Sequence, residues 1–421
     1  MSQIPPFTVV EPAAGKRRAA AVAARKESRL DLESLKSQLG EMRRHCRDHE
    51  TSLMKEYQEQ LSRFPGVKWT VAPDAARAAS YIKQVAGPTG IVSINKSSVV
   101  VNELRPQLDA AGLKTFVRYF EAFEAFENQI EDYWGLPRLD EKGLVPSFDV
   151  AKTITHFGSG PLRDYVAVAG VNAVAADDGS VFFLQHMSNI SKDLEQAKKI
   201  VLVVTPEKVV PDRAAALLQT RSMGVFGLES VILGLEPNAT EKYDFDGLPT
   251  FPGDREVHVL ILDNGRTEMF ADAYRDLYLC IDCRACSRQC PIGQHMDIEG
   301  MSWTPKNYLL GFLQGWVEST EACLHCGRCR VECPVDIDIP ALIWKSRFDH
   351  YAKHGRSWKK RLLDGPELLA KTGCMTAPLS NWASDLSVCK WAMEAVVGIH
   401  RDAPRPTFHR KTFQTWVARR D

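Results

Sequence analysis

A chain of 421 residues with 44% hydrophobic and 25% charged side chains has enough apolar material for the cores of two or three domains, which excludes a disordered chain. Its 53 basic residues are matched by 53 acidic ones, so net charge does not drive binding to nucleic acid or to an anionic membrane. The longest apolar stretches, residues 200–204 and 257–262, are strand length and far short of a bilayer span, so no transmembrane segment is predicted.

Residues 1–27 read as a mobile tail. Arg17 and Arg18 precede alanines in the manner of a twin-arginine signal, but Arg25 and Lys26 interrupt the stretch before it can act as an export segment, and cytoplasmic residence is expected. Across residues 28–66, Leu32, Leu35, Leu39, Met42, Cys46, Leu53, Tyr57 and Leu61 recur at helical spacing and predict one amphipathic helix ending at Pro65-Gly66. It packs on the following domain or, as the lesser alternative, on a coiled-coil partner.

Residues 67–263 alternate strand-like runs (67–71, 90–94, 115–119, 165–169, 173–175, 181–184, 200–205 and 257–262) with helical ones near 75–85 and 97–111. This alternation predicts a layered, mainly parallel α/β domain of Rossmann-like kind, with ligands at the carboxyl ends of its strands. Asn95-Lys96-Ser97-Ser98 falls where a strand gives way to a helix, so amides, hydroxyls and one ammonium converge where a carboxylate or phosphate could bind. The plainer reading is that Ser97 or Ser98 caps the helix and Lys96 is solvated. Asp177-Asp178-Gly179-Ser180 is first of all a tight turn, with Asp178 a further candidate anion or substrate contact. His156-Phe157-Gly158-Ser159-Gly160 is not a complete Gly-x-Gly-x-x-Gly, and no Walker A sequence occurs, so motifs support neither a nucleotide nor a flavin site. His186 reads as a satisfied, partly buried histidine.

Eight of the 11 cysteines form two runs of one spacing, Cys280-x-x-Cys283-x-x-Cys286-x-x-x-Cys290-Pro291 and Cys323-x-x-Cys326-x-x-Cys329-x-x-x-Cys333-Pro334. Three thiolates at every third position let a compact loop wrap three corners of an iron–sulfur cube, while the fourth, turned away before proline, ligates the other cluster. This assigns Cys280, Cys283, Cys286 and Cys333 to one 4Fe–4S cluster, and Cys323, Cys326, Cys329 and Cys290 to another. Structural zinc usually takes two separated pairs of ligands and matches poorly, and disulfides need an oxidising compartment. Ala285 and Gly327 are small enough for backbone amides to approach the sulfurs.

Thr304-Pro305 with Tyr308, Leu309, Phe312, Leu313, Trp316 and Val317 predicts a helix between the runs, and another opens at Ile339-Pro340, so residues 264–350 read as a helical ferredoxin module. Cys46, Cys374 and Cys389 read as small buried hydrophobes. Residues 351–421 are basic, with Trp358, Phe408, Phe413 and Trp416 interleaved. They suit solvated helix faces or a docking surface for a redox partner, nucleic acid being a minor alternative.

The stretch Val259-Leu260-Ile261-Leu262-Asp263-Asn264-Gly265-Arg266-Thr267, followed by the first cysteine run, resembles the iron–sulfur subunits of lactate-utilisation complexes, which join an LUD domain to paired clusters. Lys96-Ser97 before Asn102-Glu103-Leu104, residues 170–180, and Thr205-Pro206-Glu207-Lys208-Val209-Val210-Pro211 extend the resemblance over residues 67–345. It implies an α/β fold like that of isomerases and CoA-transferases, cytoplasmic residence, and a role in oxidising L-lactate to pyruvate beside two companion subunits. The sequence departs from the family at residues 177–186 and again after Cys290.

Residues 398–416 are similar to the linker that joins ferredoxin modules to cysteine-rich, heterodisulfide-reductase-like domains, so a separate subunit of that kind is expected to dock near the C-terminus. A further LUD or flavin subunit is expected beside it. A 2-hydroxy acid loses two electrons while each cluster takes one, which puts any flavin on a partner. The leading reading is an electron-transfer subunit of a 2-hydroxy-acid (foremost L-lactate) dehydrogenase complex. The alternatives are a non-catalytic redox adaptor of another heterodisulfide-reductase-like assembly, and an α/β domain that alone isomerises or transfers a small acid.

Overall fold

The computed structural model describes residues 4–12, 31–116, 164–184, 189–227, 243–247, 255–270, 273–295 and 303–418. The chain divides into two compact units, Met1–Ser346 and Arg347–Asp421. Eleven strands are described: β1 Phe7–Pro12, β2 Val67–Ala72, β3 Ile91–Ile94, β4 Lys114–Phe116, β5 Val166–Gly170, β6 Ala173–Ala175, β7 Val181–Leu184, β8 Lys199–Val204, β9 Val209–Val210, β10 Tyr243–Gly247 and β11 Glu256–Leu262.

Six of them form an all-parallel sheet in the order β2-β11-β8-β5-β3-β4. Its central strands β5, β8 and β11 are continuous apolar runs, as a sheet covered on both faces requires, and their residues are buried almost without a break. On one face, Ala78, Ala79 and Ile82 of the helix Ala75–Ala86 pack with Leu104 and Leu108 against Val92, Leu260 and Leu262. Asp74 caps that helix by accepting from the Arg77 amide at 2.7 Å. The expected layered α/β architecture followed by a helical cysteine-bearing region is what is observed.

The other face is broader than a separate-domain reading suggests. One core runs from Leu39 and Tyr57 of the N-terminal helices, through Ile200, Leu202, Val257 and Val259 of the sheet, to Tyr278, Ile281, Ile337, Ile339 and Ile343 around the cysteines. The segments 28–66, 67–263 and 264–346 therefore share a core. Residues 31–66 hold two helices, Leu32–Asp48 and Glu50–Leu61, which part at His49; Cys46 is wholly buried as expected, whereas Cys374 and Cys389 are only partly buried. Among the described residues no helix is long and apolar enough to cross a membrane.

A second, mixed sheet has the order β10-β1-β7-β6-β9. It corrects the reading of residues 1–27 as tail throughout: β1 pairs in parallel with β7, and the Phe7 ring meets Phe183 edge-on at 6.2 Å. The strand takes its order from a partner that lies far away in sequence, so its local pattern does not announce it.

Arg43 joins the N-terminal helix to the approach of the first cysteine run. Wholly buried, it donates from Nε to the Leu279 carbonyl at 3.2 Å, from Nη1 to Gln219 Oε1 at 2.9 Å and from Nη2 to the Tyr278 carbonyl at 2.5 Å. Arg43→Met leaves those acceptors buried at about 1–3 kcal/mol each, so a loss of about 3 kcal/mol or more is expected in anaerobic denaturant unfolding. Arg47→Ala, which breaks pairs with the exposed Asp48 and Asp276, should cost less than about 1 kcal/mol.

Candidate metal centres

The two cysteine runs curl through short turns rather than regular elements. Arg275–Leu279 is a 3-10 turn ending at Cys280, Asp282 and Arg284 take left-handed φ values of 64° and 65°, and Ala285–Ser287 is a second 3-10 turn. The folded chain gathers Cys280, Cys283, Cys286 and Cys333 around one cavity, whose wall includes Thr304, Lys306, Ile337 and Ile339. Cys290, Cys323, Cys326 and Cys329 line a second, walled by Trp303, Tyr308, His325 and Ile343. The last cysteine of each run thus lies in the cavity lined by the first three of the other.

The donor chemistry fits a pair of iron–sulfur cubes. Among the described residues lining them, cysteine is the only ligand type shared by both cavities, and all eight thiols are free of disulfides. A tetrahedral zinc draws its sulfurs to about 2.3 Å from one atom. Among the described residues no group of three or more His, Cys, Asp or Glu converges closely enough to hold a single metal ion. Backbone amides also aim at the sulfurs: Asp282 donates to Cys280 Sγ at 3.3 Å and Ile337 to Cys333 Sγ at 3.4 Å. The amides of Ala285 and Lys306 serve Cys283 and Cys286.

Burial pushes the Cys283 and Cys286 thiols far above their usual range, Cys329 up to about 12 and Cys333 up to about 11. Iron entering these cavities must displace protons. Burial also works to raise Asp282, but Lys306, Lys208, Arg284 and a hydrogen bond from Ser98 outweigh it and hold the carboxyl at about 2. Lys306 Nζ lies 3.7 Å from Asp282 Oδ1, and Lys208 Nζ donates to the Ile281 carbonyl at 3.3 Å. Burial opposes the charge on Lys306, yet Asp282 and the Cys280 sulfur keep it above the ordinary lysine range.

Behind this group, Arg266 is wholly buried and grips Glu103 with both terminal nitrogens, at 2.9 and 2.6 Å, while Nε reaches Glu207 at 3.2 Å. Asn264 Nδ2 and Gln314 Nε2 also donate to Glu103, at 2.7 and 2.9 Å. The helix Pro305–Leu313, capped by Thr304 through the Asn307 amide at 2.9 Å, is thereby tied at its far end to the turn after β11.

The sheet's carboxyl edge meets the first cysteine loop. After β3, Asn95 exchanges hydrogen bonds with Gly170, Nδ2 to carbonyl at 2.8 Å and amide to Oδ1 at 2.9 Å. Ser97 lies so close over Gly170 that a Cβ there would come within 2.3 Å of its hydroxyl. Ser98 does not cap the following helix; its hydroxyl donates to Asp282 Oδ2 at 2.5 Å. Arg284 Nη2 donates to the Lys96 carbonyl at 2.6 Å, and burial, with Arg284 adding, brings the partly buried Lys96 ammonium down to about 7. A Cβ on Gly227 would fall 2.0 Å from the Cys283 carbonyl, so only glycine admits the loop there.

Asp178 lies apart from Lys96 and Ser97, in the turn between β6 and β7 of the second sheet. It accepts from the Ser180 amide at 2.8 Å and pairs with Arg213, which makes it a turn residue. The 156–160 loop and His186 lie outside the described residues. Sequence reasoning named Lys208 only within the stretch that carries the resemblance, and did not single out Asp282, Lys306, Arg43 or Arg284. A usable signal existed for Lys306, a charged residue directly after Thr304-Pro305 at a helix start that the flanking apolar residues bury.

Residues 276–337 match the family model of the 4Fe–4S dicluster domain. The chain is 25% identical over 344 residues to Lactate utilization protein B 1 of Bacillus mycoides (strain KBAB4), which covers 73% of this chain and 69% of that protein. It is 24% identical over 354 residues to Lactate utilization protein B of Bacillus cytotoxicus, covering 76% and 72%. To Lactate utilization protein B of Bacillus pumilus (strain SAFR-032) it is 28% identical over 210 residues, 47% and 42% of the two chains. No solved structure matches the chain. The resemblance carried by the cysteine runs and the strand before them is borne out by these relatives and by the dicluster-domain match over residues 276–337.

Proposed function

We propose that this chain is the iron–sulfur electron-transfer subunit of a multi-subunit, cytoplasmic 2-hydroxy-acid dehydrogenase, with L-lactate the foremost substrate, and that it holds two 4Fe–4S clusters. The observation that carries the reading is the exchange of Cys290 and Cys333 between the two cavities. Each cluster, when bound, takes up and gives back one electron. The chain's own part is to hold the sulfurs, aim amides at them and exclude water. Successive residues of one segment divide between the cavities, Trp303 and Pro305 facing the second, Thr304 and Lys306 the first, which supports a short path from one to the other.

Oxidation of a 2-hydroxy acid releases two electrons, so we place the centre that accepts them together, a flavin or a special cluster, on a companion subunit. A cysteine-rich heterodisulfide-reductase-like subunit is the companion we assign to residues 347–421, with a further LUD or flavin subunit completing the assembly. Support comes from the exposed apolar side chains of that unit, among them Trp358, Met375, Trp382, Val388, Trp391 and Phe413. The names of the relatives point to lactate. A redox adaptor of another complex is the second reading, favoured by the way the first cysteine loop fills the described carboxyl edge of the sheet, where a substrate would otherwise sit.

Anaerobic iron analysis with EPR separates these. About eight irons per chain, with signals that appear on adding L-lactate and the copurified companions, is the expected result. Eight irons that respond to dithionite alone would move the assignment to the adaptor, and zinc in their place would end both readings. Cys290→Ser should alter the signal of the cluster held by Cys323, Cys326 and Cys329 and spare the other; the reverse outcome would break the exchange.

Removing the iron by chelation should expose a pH dependence. Unfolded thiols ionise near about 8.5. Burial keeps Cys333 protonated up to about 11, with Cys283 and Cys286 higher still. Their contribution to stability is fully present below about pH 8.5 and is lost as the pH climbs through the folded values. The melting temperature of the chelated protein should fall between about pH 8.5 and 11, more steeply than that of the loaded protein, whose sulfurs are ligated; equal slopes would contradict this.

A further inference from the structure

The charged side chains around the two cavities differ in kind. The described residues lining the second include no lysine, arginine, aspartate or glutamate; its wall is proline, isoleucine, tryptophan, tyrosine, leucine, glycine and histidine beside the cysteines. The first is lined by Asp282, Arg284 and Lys306, and Lys208 stands just behind Ile281 with its ammonium on that residue's carbonyl. Lys306 and Lys208 are both buried, so water screens charge there little; Asp282 and the Cys280 sulfur hold Lys306 above the ordinary lysine range, whereas burial brings Lys208 below it against the pull of Asp282, Glu207 and the Cys280 sulfur. Counting the groups behind them, Lys208, Lys306, Arg284 and Arg266 face Asp282, Glu103 and Glu207, a cationic surplus. The helix Pro305–Leu313 adds to it, because its N-terminus faces the cavity and the Lys306 amide serves Cys286.

Resting on the two-cluster reading above, we infer that Lys208 and Lys306 set the order in which the clusters fill: the one held by Cys280, Cys283, Cys286 and Cys333 takes the first electron. Reduction adds one electron and one unit of negative charge, breaks no bond and requires no proton. Buried ammonium groups stabilise the added charge, and net charge is one of the quantities that fix such a cluster's potential. Lys208 and Lys306 act as positioning residues: the Lys208 ammonium sits on the Ile281 carbonyl, and that of Lys306 on Asn307 Oδ1 and beside Asp282. Asp282 opposes them, since its carboxylate repels the incoming electron.

The test is an anaerobic, EPR-monitored redox titration of the full chain and of Lys208→Gln, Lys306→Gln and Asp282→Asn, with dithionite as the one-electron donor. Cys326→Ser identifies which signal belongs to the second cavity. Each lysine variant should disfavour reduction of the first cluster at least tenfold, about 59 mV for a one-electron couple, and Asp282→Asn should shift it the opposite way. The second cluster should move far less, and Lys306→Arg should restore the parent value. If Lys306→Gln does not retain iron, the opposite signs of Lys208→Gln and Asp282→Asn still decide. Shifts of one sign in every variant, equal shifts in both clusters, or a second cluster that reduces first in the parent chain would overturn the inference while leaving two clusters in place. A chain that binds no iron overturns both it and the function it rests on.

Discussion

Docking of the first cysteine loop on the carboxyl edge of the parallel sheet is the constraint on which the rest of this structure depends. A loop that presents three thiols at every third residue cannot be helix or strand, so its amides and carbonyls need partners from elsewhere. The sheet domain supplies them. Ser98 binds Asp282, Lys96 offers its carbonyl to Arg284, Lys208 takes the Ile281 carbonyl, and Arg43 takes those of Tyr278 and Leu279. The Tyr278 hydroxyl adds a bond to the Pro206 carbonyl at 3.0 Å. In an open α/β sheet this edge is where ligands normally bind, and here a segment of the same chain occupies the described part of it.

The two stretches that carried the family resemblance explain one another once folded. Asp263-Asn264-Gly265-Arg266-Thr267 and Asn102-Glu103-Leu104 are far apart in sequence, yet Arg266 and Glu103 form a two-pronged buried pair, and Asn264 donates to the same carboxylate. Asp263 turns the chain by accepting from the Gly265 and Thr267 amides at 3.1 and 2.9 Å, and Asn264 and Gly265 take left-handed φ values of 46° and 80°. Such a pair gains little over an apolar replacement, but losing one partner strands a buried charge. That asymmetry makes the combination specific, because each member is tolerable only where the other stands.

What was legible in the sequence was whatever has local periodicity or fixed spacing. Strands β5, β8 and β11 announced themselves as apolar runs, the helix at Thr304-Pro305 by its cap, and the two groups of four cysteines by their repeat. What was not legible depends on partners distant in sequence. Phe7–Pro12 is a strand because β7 lies beside it, Ser98 binds Asp282 instead of capping its helix, and the buried Lys208 donates to the distant Ile281 carbonyl. Asp178 shows the opposite case, since a turn is local and its reading as a turn needed nothing from the fold.

The segment between the cysteine runs links geometry to electron transfer. Thr304 adopts extended backbone, φ −149° and ψ 156°, so its side chain points opposite to those of its neighbours. Trp303 is thereby sent to one cavity and Thr304 to the other, and Pro305 and Lys306 continue the division as the helix begins. A thin partition with different chemistry on its two faces is the simplest way to give two identical cysteine motifs unlike surroundings. Aromatic and imidazole groups face the second cavity, and an ammonium with a helix N-terminus faces the first. The repeat in the sequence specifies what is alike about the two sites, and four residues between them specify much of what differs.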